Sequence, residues 1–143
     1  MNNETVLQDY IHFCENLSPD NTGRFGDFYT PDAYFKDPFN EVRGHDAIIA
    51  IFDHMFRKVD VPRFVITRSL LQEDEAFLLW DFQFYFKGKH ASIQRIRGST
   101  HLKFSPRHRI EYHRDYWDAA EELYEKLPLL GGFMRWLKRI ANK

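Results

Sequence analysis

A chain of 143 residues has room for one domain and one core, and its 43% hydrophobic and 29% charged residues are ordinary globular proportions. The net charge of −1 argues against a general polyanion binder, since nucleic-acid domains carry a basic excess, so no nucleic-acid partner is expected. Aromatic residues reach 17% (14 Phe, 7 Tyr, 3 Trp), and a small domain with this many often lines a cavity with some of them.

Charge is unevenly placed: residues 126–143 carry +5 with no acid, which leaves −6 on residues 1–125. Cys14 is the sole cysteine, so no intrachain disulfide can form, and the thiol reads as a small buried group on a helix. The N-terminus, Met1-Asn2-Asn3-Glu4, lacks the basic-then-apolar layout of a signal peptide, and no apolar run approaches the ~18 residues of a membrane span. A cytoplasmic location is the expectation.

In chain order, Val6, Tyr10, Phe13, Cys14 and Leu17 recur at helical spacing and predict a helix over about 4–17, ended by the turn cluster 18–23. Phe25, Phe28 and Tyr29 suggest a short second helix, stopped by Thr30-Pro31-Asp32. Ala33–Lys36 then forms a short extended piece running into Asp37-Pro38. Gly44-His45-Asp46 opens a third helix, with Asp46 at the positive end of its dipole and Ile48, Ile49, Ile51, Phe52, Met55 and Phe56 as its apolar face.

From residue 62 the period becomes two. Arg63–Leu71 reads as a strand and 72–75 as a polar turn. In Ala76–Phe86, Leu78, Trp80, Phe82, Phe84 and Phe86 share one face, while Asp81, Gln83 and Tyr85 share the other. Lys87-Gly88-Lys89 is a hairpin signal. The next strand, about 90–104, places Ile96, Gly98, Thr100, Leu102 and Phe104 on one face. Ile93 is out of phase with them, which predicts a bulge near Gln94-Arg95. Residues 105–108 turn the chain into a last strand over about 109–117. Helices followed by a four-strand antiparallel meander make an α+β single domain, its long strands bent so that the helices cover a cone-shaped hollow. Residues 119–143 read as a helical tail, broken into two short pieces at Pro128 and Gly131-Gly132.

Three stretches, Tyr34-Phe35-Lys36-Asp37-Pro38, Gly44-His45-Asp46-Ala47-Ile48 and His113-Arg114-Asp115-Tyr116-Trp117-Asp118, together resemble the SnoaL-like branch of the nuclear transport factor two-like superfamily. That resemblance covers nearly the whole chain and implies the same cone-like fold. The superfamily includes ketosteroid isomerases, polyketide cyclases, limonene-epoxide hydrolases and members with no chemistry, so fold alone does not fix function. On the resemblance to ketosteroid isomerases the general base falls on Asp37, the tyrosine donor on Phe13 (Tyr10 being the nearest tyrosine) and the carboxylic acid donor on Thr100. Epoxide hydrolases and polyketide cyclases both place an aspartate at Asp115. The remaining epoxide-hydrolase groups would fall on the strand holding Leu78 and Trp80, which are apolar.

Glu111, His113, Asp115 and Trp117 share one face of the last strand, and Tyr112, Arg114 and Tyr116 the other. Alternation leaves open which face is inside; the resemblance implies the odd set. His113 and Asp115 would then lie about 7 Å apart along the strand, close enough for a dyad with a water or ligand between them. A carboxyl in an apolar hollow holds its proton to higher pH, which suits proton transfer. Asp115, His113 and Asp37 are therefore the candidate catalytic residues. Trp80, Phe82, Phe84, Thr100, Trp117, Phe13 and Tyr10 are the candidate ligand-binding residues. The seven histidines form no metal signature and no phosphate loop is present, so neither metal nor cofactor is expected.

These features predict a small-molecule enzyme of isomerase, cyclase or dehydratase type acting on an apolar, polyketide- or steroid-like ligand. The alternative is a non-catalytic module of the same fold that binds a ligand or a protein. A homodimer is implied by the resemblance. The apolar and basic residues of the tail, Trp136 among them, fit a lid, a dimer contact or a weak membrane-surface contact.

Overall fold

The computed structural model describes residues 2–122, 135, 136 and 139–141. The expected break of the tail at Pro128 and Gly131-Gly132 lies outside the described residues, as does most of the tail whose membrane contact was anticipated. No helix among the described residues is long and apolar enough to cross a membrane.

Helix α1 (Asn3–Glu15) starts where the Asn2 side chain accepts from the Thr5 amide at 2.8 Å, and it buries Val6, Leu7, Tyr10 and Phe13. A 3₁₀ helix (Thr22–Asp27) follows and buries Phe25. It ends before Phe28, earlier than the anticipated second helix, because Tyr29 already belongs to strand β1 (Tyr29–Lys36). Thr30-Pro31-Asp32 thus lies within a strand rather than ending a helix. Pro31 is tolerated because the pairing slips between Tyr29 and Tyr34, so its missing N–H costs no ladder bond. Strand β2 (Glu41–Arg43) pairs antiparallel with β1 and was not anticipated from the sequence. Gly44, at φ 93°, turns the chain into helix α2 (His45–Lys58), a backbone conformation that favours glycine.

Strands β3 (Val59–Gln72), β4 (Glu75–Phe86), β5 (Lys89–Phe104) and β6 (Ile110–Tyr116) form the antiparallel meander that the two-residue period predicts. The sheet is larger than that meander, however. It has six strands in the order β2-β1-β6-β5-β4-β3, and β1 runs parallel to β6, so the sheet is mixed. β3 begins four residues earlier than expected because a slip between Asp60 and Arg63 absorbs Pro62 on an edge strand. The irregularity in β5 falls between Lys89 and Gln94, one step before the expected site, and leaves Ile93 exposed. An extra residue, Glu111, sits in β6 between the pairs Phe104–Ile110 and Lys103–Tyr112. It shifts the phase by one, so Glu111 is exposed while Ile110 and His113 point inward; the odd-numbered inner face holds only from His113 onward.

On the concave side Leu78, Trp80, Phe82 and Phe84 are buried opposite the helices, each contributing about 1.5–3 kcal/mol on full burial. Ile96, Thr100, Leu102 and Phe104 of β5 continue that surface. α1 is tied to β3 where Glu15 Oε2 accepts from the Ile66 amide at 3.1 Å. α2 lies against the 3₁₀ helix and β1, where Phe52 stacks on Phe25 at 4.3 Å and meets Phe35 edge-on. Helix α3 (Ala119–Glu122) leaves the sheet with Glu122 buried and bonded to Arg97 at 2.9 Å.

Gly98 fixes how deep the indole of Trp80 can lie. The two residues are directly paired across β4 and β5, and a Cβ at position 98 would fall 2.5 Å from two atoms of the ring. Since Trp80 is buried, its ring cannot move aside freely. Gly98→Ala is expected to lower stability by about 1–3 kcal/mol through overpacking, read as a lower urea midpoint together with altered tryptophan fluorescence. An unchanged midpoint would show that the ring has room to spare.

Candidate active site

Two hollows open between the sheet and the helices. The larger, about 420 Å³, is walled by Phe64, Trp80, Phe82 and Phe84, roofed by Phe52 and Met55 of α2, and closed at one end by Phe39, Asp37, Asp115 and Trp117. The smaller, about 40 Å³, lies further in against Tyr10, Cys14, Leu78, Thr100 and His113, and has room for one or two waters. Asp115 and Trp80 line both, so Asp115 stands at their junction.

A continuous hydrogen-bonded chain runs through this junction. Trp80 Nε1 donates to Thr100 Oγ1 at 2.8 Å, and Thr100 Oγ1 donates to Asp115 Oδ1 at 2.6 Å. His113 Nε2 is 2.7 Å from the same Oδ1, while His113 Nδ1 is 2.7 Å from the Tyr29 hydroxyl. The Tyr29 hydroxyl in turn lies 2.5 Å from that of Tyr10. Five of the six residues are buried, and Asp115 is the most exposed, with 16% of its side chain accessible. His113 and Asp115 therefore touch directly, with no bridging molecule as the strand spacing had suggested. On the inside of a curved strand the tips of side chains two residues apart converge.

Chemistry sets the direction of the chain at the tryptophan end, and the tautomer of His113 sets it at the tyrosine end. An indole N–H can only donate, so the hydroxyl hydrogen of Thr100 is left for Asp115. Burial pushes the hydroxyls of Tyr10 and Tyr29 well above the usual tyrosine range, so both phenols keep their protons. Burial likewise raises the Cys14 thiol to about 12. With the His113 ring neutral, Tyr10 donates to Tyr29, Tyr29 donates to Nδ1, and the Nε2 hydrogen goes to Asp115. Oδ1 then accepts two hydrogen bonds. Oδ2 makes none among the described residues, which leaves it as the oxygen able to take or release a proton.

Asp37 also lines the large cavity, but its carboxylate is engaged in a turn. Its Oδ1 accepts from the amides of Phe39 at 2.8 Å and Asn40 at 2.7 Å, and both oxygens accept from the Asn40 side chain at 3.1 Å. Of the residues anticipated to bind ligand, Trp80, Phe82, Phe84 and Trp117 line the large hollow, and Tyr10 and Thr100 line the small one. Phe13 lines neither: it packs between Phe25 and Phe28, at 4.9 and 5.2 Å, on the inner side of α1. Tyr29, Phe64, Phe52 and Met55 were not among the site residues anticipated from the sequence. For Tyr29 a signal existed, because Thr30 precedes a proline and is thereby biased toward extended backbone.

A family model described as a SnoaL-like domain matches residues 10–123. The chain belongs to the SnoaL-like domain family. No curated protein matches the sequence. Among solved structures, an NTF2-like protein from Burkholderia pseudomallei is 15% identical with a TM-score of 0.73, covering 85% of this chain and 94% of that one. A protein of ketosteroid isomerase-like fold from Catenulispora acidiphila, solved with trimethylamine, is 14% identical with a TM-score of 0.70, over 82% and 88% of the two chains. A candidate SnoaL-like polyketide cyclase from Shewanella denitrificans is 20% identical with a TM-score of 0.66, over 85% and 96%. At these identities the likeness establishes the fold, and within this SnoaL-like chain the chemistry has to be read from its own residues.

Thr100 is the link on which both Trp80 and Asp115 depend. Thr100→Val keeps the shape but strands a buried indole N–H and removes a donor from the carboxylate, at an expected cost of about 1–3 kcal/mol. Urea unfolding measures the loss, and the Trp80 indole N–H resonance should shift in the same variant. A neutral effect on both would remove Thr100 from the chain.

Proposed function

We propose that this SnoaL-like domain is a small-molecule enzyme of isomerase, cyclase or dehydratase type, with Asp115 as its acid/base. The observation that carries this reading is the setting of Asp115: one oxygen is fixed by Thr100 and His113, the other is unengaged among the described residues, and the carboxylate borders an aromatic cavity. A general base needs a defined position and an accessible lone pair, and this arrangement supplies both. His113 serves as the partner that stabilises the carboxylate, with Tyr29 and Tyr10 holding its ring in one orientation. Asp37, whose lone pairs already hold the turn at residues 37–40, shapes one end of the cavity instead of moving protons. The reading needs no cofactor. The volume of about 420 Å³ supports a ligand of bicyclic or tricyclic size, within the usual range of small-molecule sites. A purely interacting module would be favoured had Trp80, Phe82 and Phe84 filled the hollow and left no room for a ligand.

Once a turnover substrate is found, Asp115→Asn should lower the rate about 10²–10⁴-fold, the scale of general acid–base catalysis, whereas Asp37→Asn should cost far less because asparagine still accepts in the turn. Full activity in Asp115→Asn would sink the assignment.

Self-association belongs to the same proposal. Leu70, Phe77, Leu79 and Tyr116 are about half exposed, and they lie on the meander away from the cavity. Burying roughly 800 Å² per partner would make a dimer of ordinary size. Sedimentation at micromolar concentration is expected to give a dimer that Leu79→Lys weakens, and a wild-type monomer would reject it.

A further inference from the structure

We infer that the large cavity takes an organic cation, a tertiary or quaternary ammonium group on an aromatic or alicyclic body, with Asp115 as its counter-charge. This rests on the reading of the cone as a small-molecule site and narrows what that site accepts.

The first argument is charge. Asp115 forms its one ion-pair contact among the described residues with His113, whose ring is neutral when its Nδ1 accepts from Tyr29. No lysine or arginine pairs with it there. Asp37 has only neutral donors around it as well. With Nδ1 of His113 accepting, two carboxylates border the cavity without a cationic partner among the described residues. Lys58 and His54 of α2 are exposed at the rim, where solvent and salt screen them, and Lys36 and Arg114, which border the adjoining hollow, are engaged by Glu41 and the Tyr116 ring.

The second argument is what a guest does to Oδ2 of Asp115. A neutral apolar molecule filling the cavity removes water from the side of the carboxylate that faces it and returns nothing, which is costly. An anion is worse on both counts. A cation replaces the lost hydration with a direct charge contact.

The walls supply the third argument. Phe64 and Trp80 meet at 77°, Phe39 and Trp117 at 75°, while Phe82 and Phe84 lie nearly parallel at 26°. Phe82 is stacked against both Phe64 and Phe84, and the aromatic faces left uncovered by such stacking carry the negative end of a quadrupole toward a guest. An apolar wall made of Leu and Ile would bury the same area without that attraction.

The test uses the full chain and two probes of the same shape, benzyltrimethylammonium and neopentylbenzene, in which the nitrogen is replaced by carbon. Binding is followed by the indole N–H resonances, of which those of Trp80 and Trp117 report on the cavity. The cation is expected to bind about tenfold or more tighter than its neutral twin, and Asp115→Asn should erase that preference while the neutral probe binds as before. Equal or tighter binding of neopentylbenzene to the wild type overturns the inference but leaves the cone as a ligand site. If neither probe perturbs the indoles, both the inference and the small-molecule reading fall. A cation preference that survives intact in Asp115→Asn would overturn the role given to that residue. The wild-type comparison decides the charge preference even if the variant folds poorly.

Discussion

A carboxylate and an imidazole cannot be carried into an aromatic interior unless their hydrogen bonds are completed there, and much of this molecule's geometry follows from that requirement. Asp115 and His113 sit on β6, yet the groups that satisfy them come from elsewhere: Thr100 from β5, Trp80 from β4 through Thr100, Tyr29 from β1 and Tyr10 from α1. Each bond fixes a distance between two elements. Tyr29 reaches His113 because β1 runs parallel beside β6, and Tyr10 reaches Tyr29 only if α1 crosses the sheet at that height. The polar chain therefore sets the register of the helical layer on the sheet, a task that apolar packing alone performs loosely.

The surrounding rings make this chain costly to disturb. In a low-dielectric setting each hydrogen bond is stronger, and each broken one leaves a group that water cannot easily reach. Gly98 contributes by leaving space where a Cβ would fall 2.5 Å from the Trp80 ring, whose Nε1 donates to Thr100. A fold shared with structures only 14–20% identical is thus fitted here with its own particular interior. The family supplies the cone. These residues decide what can happen in it.

Much of this was legible beforehand where period and burial coincide. The alternation of β4 is unbroken from Leu78 to Phe84, so its inner face could be read directly. His113 and Asp115 could be placed inside only with help from the family resemblance, because tyrosines on the other face of β6 make an equally plausible core by composition. Structure resolves this through the extra residue at Glu111, which no local pattern announces, since a bulge depends on the partner strand. The parallel pairing of β1 with β6 was hidden for a similar reason: eight residues interrupted by Pro31 carry little periodicity, and their partner is some eighty positions away. Tyr29 was lost with that strand, and with it the link from α1 to the site. Phe13 shows the converse error, a position inferred from distant relatives whose side chain here belongs to the helix core.

Of the six residues in the hydrogen-bonded chain, Asp115 is the most open to solvent, and the far end closes on Tyr10, buried beside Cys14. The chain is a corridor with one door. Protons can be redistributed along it, but none enters or leaves at the tyrosine end while the fold is intact. Asp115 also borders a second hollow, lined by Lys36, Pro38 and Arg114, so a molecule in the aromatic cavity leaves the carboxylate a path to water on that side. Exchange of protons with solvent therefore passes through Asp115 rather than through the tyrosines, whichever hollow the ligand fills.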